Sequence, residues 1–180
     1  FLSQSVTTNL VRNSKGKMSV FRKEYRLSKP DTESILACVK QHDIPLKSFL
    51  LALHCKLVSH ITGQNKITTG LMSNARPETK NAESIAGMFI NVLPITISVN
   101  TKSTIEMAKE LVSIEAEHNK YRSLPYAIIM KNEKNIEFDS LFNFTNFYPY
   151  KECTDRQELS VLSMKGSDQT LFNVSLRFTL

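Results

Sequence analysis

Residues 85–94 read IAGMFINVLP, and the apolar run continues as ITISV to residue 99. From Phe89 onward the stretch is rich in β-branched and aromatic side chains and predicts a strand. Pro94 cannot donate to a ladder, so this strand belongs at a sheet edge or at a bulge. Gly87, two residues before Phe89, permits a close backbone approach. Asn91 follows Phe89 by two and shares its face on an extended chain. An amide among apolar neighbours is costly to bury without partners. Two readings of Asn91 stand: it satisfies backbone groups at a bulge, or it lines a channel.

Working outward, residues 66–72 (KITTGLM) predict another strand, and a polar loop over 73–84 contains Arg76-Pro77. Before them, Ser28-Lys29-Pro30-Asp31 is a helix start with a Ser cap and Pro in the first turn. That helix runs to about His42, where Ile44-Pro45 breaks it. A second begins near Leu46, with Phe49, Leu50, Leu53, Leu57 and Ile61 at three- and four-residue steps, and Gly63 ends it. It is apolar over most of its circumference, so burial on two sides is expected. Residues 18–27 (MSVFRKEYRL) predict a strand, and residues 1–17 lack any period and read as a linker or basic arm.

Downstream, Ser103 with Glu106 has the capping-box spacing, and Ile105, Ala108, Val112 and Ala116 predict the buried stripe of a third helix. Residues 124–130 predict a short fourth helix, and residues 138–147, 159–164 and 171–180 predict three strands. The order β-α-α-β-β-α-α-β-β-β implies an α+β fold, with helices packed on one face of a mixed β-sheet.

The 180 residues are 41% hydrophobic and 22% charged, which excludes disorder for the bulk of the chain. No run of 18 apolar residues occurs, so no transmembrane helix is predicted. Phe1 in place of an initiator Met suggests a piece of something longer. The net charge of +6 is concentrated: residues 1–29 carry seven basic residues against Glu24 alone. Such an arm suits an acidic protein partner, or is simply a solvated face; no nucleic-acid module signature accompanies it. Cys38, Cys55 and Cys153 are odd in number and lack CxxC spacing, which reads as reduced thiols in a cytoplasmic protein.

No catalytic constellation is visible. His42, His54, His60 and His118 pair with nothing at a metal or catalytic spacing, and His54 and His60 face opposite ways on one helix. Nucleophile elbow, P-loop, GxGxxG and HExxH patterns are all absent. Neither metal nor nucleotide is expected.

Taken in order, the segments resemble the C-terminal half of a nonribosomal peptide synthetase condensation domain. The matching residues are Ile61-Thr62-Gly63-Gln64, then Ile67-Thr68-Thr69-Gly70 with Arg76-Pro77, then residues 85–94 against [IV]-G-x-F-x-N-[TV]-L-P. His118-Asn119-Lys120-Tyr121 with Leu124-Pro125-Tyr126, and Ser140-Leu141-Phe142 through Asn146, follow in the family's order. The sequence departs from the family at Ala86, at Val92 for Thr, and in residues 132–139, where an Arg-Asp-x-Ser-Arg-Asn stretch is unrecognisable. The family's catalytic motif, His-His-x-x-x-Asp-Gly, does not occur in these residues.

The resemblance implies one lobe of a two-lobed, chloramphenicol acetyltransferase-like fold: residues 18–180 as the C-terminal lobe and 1–17 as an interlobe linker. It implies amide-bond formation between a donor thioester and an acceptor amine, both carried on the phosphopantetheine of carrier proteins. No cofactor is bound directly. Gly87, Phe89 and Asn91 are then expected on the tunnel wall that meets the other lobe, and Arg76 bracing the loop beside them. Arg76 equally suits the capping of carbonyls. Residues 148–171 are expected to reach across to the other lobe. The implied partners are the N-terminal lobe, peptidyl or aminoacyl carrier proteins and an adjacent adenylation domain, in peptide antibiotic or siderophore biosynthesis, with no nucleic acid and no membrane. The chain alone is expected to be inactive. Alternatives within the resemblance are a coenzyme A-dependent acyltransferase, an epimerisation or cyclisation variant, and an inert lobe that docks carriers.

Overall fold

The computed structural model describes residues 6–8, 23–132, 136–145 and 172–179. The predicted strand over 159–164, the crossing segment 148–171, Cys153 and most of the strand and arm expected before residue 23 lie outside the described residues.

The described elements are β1 (Val6–Thr8), α1 (Lys29–Gln41), α2 (Leu46–Thr62), β2 (Lys66–Asn74), β3 (Ile90–Ser98), α3 (Thr104–His118), α4 (Tyr126–Asn132), β4 (Ile136–Phe138), β5 (Ser140–Thr145) and β6 (Val174–Thr179). A four-stranded sheet runs β3-β2-β5-β6, and β1 pairs with β4. β2 and β3 are antiparallel, from Lys66 opposite Ser98 to Asn74 opposite Ile90. β2–β5 and β5–β6 are parallel, so the sheet is mixed. Among the described strands β3 lies at the edge, which accommodates Pro94 without a lost bond in the sheet interior.

The local stop and start signals act as the sequence predicts. Ser28 caps α1 by accepting from the Asp31 amide at 3.3 Å. Gly63 closes α2 in the left-handed conformation at φ 69°. Ser103 and Glu106 form the full reciprocal capping box on α3.

The core lies between the sheet and α2 with α3, built from Leu51, Cys55, Val58, Ile67, Ile95, Met107, Leu111 and Phe142. Burial raises the Cys55 thiol to about 12, so it stays an unreactive thiol.

Four expectations are corrected. Residues 6–8, read as part of an aperiodic arm, form β1 in parallel with β4. Residues 23–27 form no strand and are exposed. The buried stripe of α3 is Met107, Ala108 and Leu111, while Val112 is exposed, because the bulkier side chains rotate the helix toward themselves. α2 is buried on one broad side only, and Leu53, Leu57 and Ile61 remain exposed on the other.

Candidate functional site

β2 ends in a turn made by Asn74, whose Oδ1 accepts from the Arg76 amide at 3.0 Å. This returns the Arg76 side chain over the loop that follows. Its Nη1 donates to the carbonyls of Ala82 at 2.6 Å and Ile85 at 2.8 Å. The guanidinium carbon stands 4.3 Å from the centre of the Phe89 ring. The same ring covers Gly87, where a Cβ would come within 3.2 Å of it. The loop closes where the Ala75 amide donates to the Phe89 carbonyl at 2.7 Å, one step beyond the last β2–β3 pair. Arg76, Gly87 and Phe89 therefore meet, and the carbonyl-capping reading of Arg76 describes its contacts.

Asn91, two residues further on, turns to a different neighbour. Its Nδ2 donates to the carbonyls of Arg122 at 2.9 Å and Leu124 at 2.7 Å. Its Oδ1 accepts from the Tyr126 amide at 3.1 Å. All three bonds go to backbone, as one reading of Asn91 requires, but at the turn that opens α4 and not at a bulge in its own strand.

Held by these ties, the loop presents Ile85, Met88 and Ile90 to the outside, at 43%, 91% and 65% exposure. Three large apolar side chains in six residues, on a braced backbone, form an exposed strip and not part of the core.

Gly70, at the inner end of the site, is required by packing. A Cβ there would stand 2.8 Å from both the Phe138 ring and Val92, and 3.1 Å from Leu141. Phe138 stacks on Phe172 at 5.5 Å, and Tyr126 meets both rings edge-on. Burial and the nearby Asp139 carboxylate raise the Tyr126 phenol above its ordinary value, so it stays protonated at neutral pH.

The histidines are not arranged for chemistry. His54 is buried, its Nε2 lies 2.8 Å from Thr69 Oγ1, and burial lowers it to about 4. His118 is likewise lowered by burial, with Glu117 partly opposing. Among the described residues no group of three His, Cys, Asp or Glu side chains is placed to hold a metal. No single described helix is long and apolar enough to cross a membrane.

Sequence reasoning missed Glu78, Arg122 and Tyr126. The Arg122 Nη1 donates to Glu78 Oε1 at 2.8 Å across 44 positions, a pairing with no local sequence signal. Tyr126 lies in a matched motif, and only the turn geometry shows that its amide is what Asn91 holds.

The sequence and the fold have known counterparts. The chain is 30% identical over 112 residues to the AMB antimetabolite synthetase AmbE of Pseudomonas aeruginosa, covering 62% of this chain and 5% of that protein. It is 24% identical over 156 residues to a linear gramicidin synthase protein of Brevibacillus parabrevis, covering 83% of this chain and 3% of that one. Among solved structures, the first condensation domain of the calcium-dependent antibiotic synthetase superposes with a TM-score of 0.57 at 13% identity, covering 64% of this chain and 26% of that chain. The condensation domain of the monacolin K polyketide synthase MokA gives 0.58 at 18% identity, with 67% and 30% covered. The chain thus spans about a twentieth or less of these curated relatives, and under a third of the solved chains. The condensation-domain profile matches residues 4–179, nearly end to end, and to that family this chain belongs.

Proposed function

We propose that the chain supplies one wall of the chamber in which a condensation domain joins a carrier-bound donor thioester to a carrier-bound acceptor amine. The observation that carries this is the family match over residues 4–179. In that reaction the amine nitrogen attacks the thioester carbonyl, the carbon–sulfur bond breaks, and the proton lost from nitrogen ends on the departing phosphopantetheine thiol. A histidine acting on the amine must lie within hydrogen-bond reach of it. His54 is sealed in the core and His118 sits at the end of α3; by the resemblance to the family, the histidine that acts on the amine belongs to a His-His-x-x-x-Asp-Gly motif in the N-terminal lobe.

The residues of this chain contribute shape. Arg76, Gly87 and Phe89 hold the strip of Ile85, Met88 and Ile90 against the N-terminal lobe, and Asn91 fixes the neighbouring turn. Rigid display of an apolar strip lowers the entropy lost when the lobes meet. The seven basic residues before residue 30 suit an acidic carrier surface, and an adenylation domain would load the acceptor. Substrates arrive on phosphopantetheine, with no other cofactor. The setting is the cytoplasm and the product a secondary-metabolite peptide.

The test is amide formation between aminoacyl-loaded carriers, read by mass spectrometry of the carrier-bound product. The complete domain is expected to form it, and the 180-residue chain alone to form none. Turnover by the chain alone overturns the division of labour. Transfer only to or from coenzyme A assigns the domain to the acyltransferase alternative. Carrier binding without transfer by the complete domain assigns it to an inert docking lobe.

A further inference from the structure

The ties around the site close into a ring. Asn91 grips the turn through the Arg122 and Leu124 carbonyls and the Tyr126 amide. The side chain of Arg122 then leaves the turn and donates to Glu78 at 2.8 Å, with Asn119 Oδ1 at 3.4 Å as a second acceptor. Glu78 stands two residues after Arg76, which binds the far side of the same loop at Ala82, Ile85 and Phe89. Phe89 leads back to Asn91. Each link but one is to backbone or to a ring. Glu78–Arg122 is the ionic link, with the Glu78 side chain 78% exposed and that of Arg122 only 23%. An exposed carboxylate on a mostly covered guanidinium is the point at which such a ring opens most easily.

We infer that the Glu78–Arg122 pair is a latch that makes the 75–89 loop and the 119–126 turn move as one body, so that both residues are positioning residues for the strip of Ile85, Met88 and Ile90. The role in catalysis rests on the condensation reading; the coupling of the two segments does not. Without the latch, Arg76 still shapes the loop and Asn91 still holds the turn, and the two stay joined only through the Phe89–Asn91 stretch of β3, with no second described tie between their side chains. The latch is also screened by salt, because one of its charges faces water.

Hydrogen exchange on the full chain tests the coupling. The reporting amides are bonded ones: Ala82, Ser84 and Ile85 in the loop, and Leu124 and Tyr126 in the turn. In Glu78→Gln, both sets are expected to exchange about two- to fivefold faster, while amides of α2 do not change. High salt in the wild type is expected to do the same, and the double exchange Glu78→Arg with Arg122→Glu to restore both sets. A response confined to one segment, or none, or no restoration in the double variant, overturns the latch.

In the complete domain, Glu78→Gln is expected to lower kcat by a similar factor with KM for the carriers unchanged, and the charge-swapped pair to recover it. Coupled exchange with unchanged kcat removes the positioning role and leaves the coupling. A wild-type domain that forms no amide removes the condensation reading instead, and exchange alone then decides the latch.

Discussion

Two polar networks hold this domain, and they lie at opposite ends of the burial scale. One is sealed between α2, β2 and β5. Thr69 Oγ1 donates to the Ser140 carbonyl at 3.1 Å, and Ser140 Oγ donates to Thr69 Oγ1 at 2.8 Å. The single Thr69 proton is then spent, so His54 Nε2, at 2.8 Å, carries the hydrogen and donates. His54 Nδ1 faces the core with no partner. The other network is the ring of Arg76, Asn91, Arg122 and Glu78, where water reaches most members. The buried network sits beside a short ladder: β2 and β5 pair only at Gly70–Leu141 and Leu71–Phe142. Side-chain bonds between Thr69 and Ser140 continue that seam one position further. Breaking the first network strands polar groups in the core, whereas breaking the second hands them to solvent. The first therefore sets stability and the second geometry.

The sharpest way to break that contrast is Thr69→Val, which keeps the shape but removes the hydroxyl. It leaves the His54 and Ser140 side-chain donors without their acceptor at sites that are 0–1% exposed. A loss of about 3 kcal/mol is expected in denaturant unfolding of the full chain. A loss under about 1 kcal/mol would mean that the seam is not structural.

Acid acts on the same network. His54 titrates at about 4 in the folded chain against 6.5 ordinarily, because burial disfavours the imidazolium. Its folded value is depressed, so the unfolded chain takes up this proton first as pH falls. The contribution is complete above pH 6.5 and is lost between 6.5 and about 4. The slope is about 1.4 kcal/mol per pH unit. Unfolding midpoints at pH 7, 6 and 5 are expected to fall steeply in the wild type and less so in His54→Gln. His118, lowered by the same cause, titrates in both proteins and cancels in the difference. Parallel pH profiles would remove His54 from the account.

What the sequence made legible was local. Ser28 with Pro30, Ser103 with Glu106 and Gly63 each act through bonds or torsions within a few residues and mark their boundaries where expected, and Pro94, lacking an N–H, sits in the strand at the end of the described sheet. The stripe of α3 was misread because apolar spacing alone does not rank Met107 and Leu111 above Val112 and Ala116; only the opposing surface does. The site was legible as a motif, with Arg76, Gly87, Phe89 and Asn91 singled out, but not as a mechanism of holding. The partners of Asn91 lie 31 to 35 positions downstream, and they are backbone atoms, which carry no residue signature. Glu78 and Arg122 read as ordinary surface charges until the fold brings them together. For the same reason His54 was read only as lacking a catalytic or metal partner, since nothing in α2 foretells Thr69 across from it.

Asn91→Ala gives the smallest change in stability and the cleanest separation of the two networks. Asn91 is half-buried and its three partners lie at a turn, so water can replace the lost bonds. The expected cost is about 1 kcal/mol. The turn and α4, no longer held against β3, lose their placement relative to the strip, and a displacement of about an ångström at a reacting surface costs rate out of proportion to stability. Amide formation by the complete domain is expected to fall about tenfold with the thermal midpoint nearly unchanged. Asn91→Asp sharpens the point: it keeps an acceptor for the Tyr126 amide but sets a carboxylate against two carbonyls. It should therefore slow the reaction at least as much as Ala. A variant that unfolds several kcal/mol more easily yet turns over normally once folded would place Asn91 with the buried network, and the division between stability and geometry would not survive.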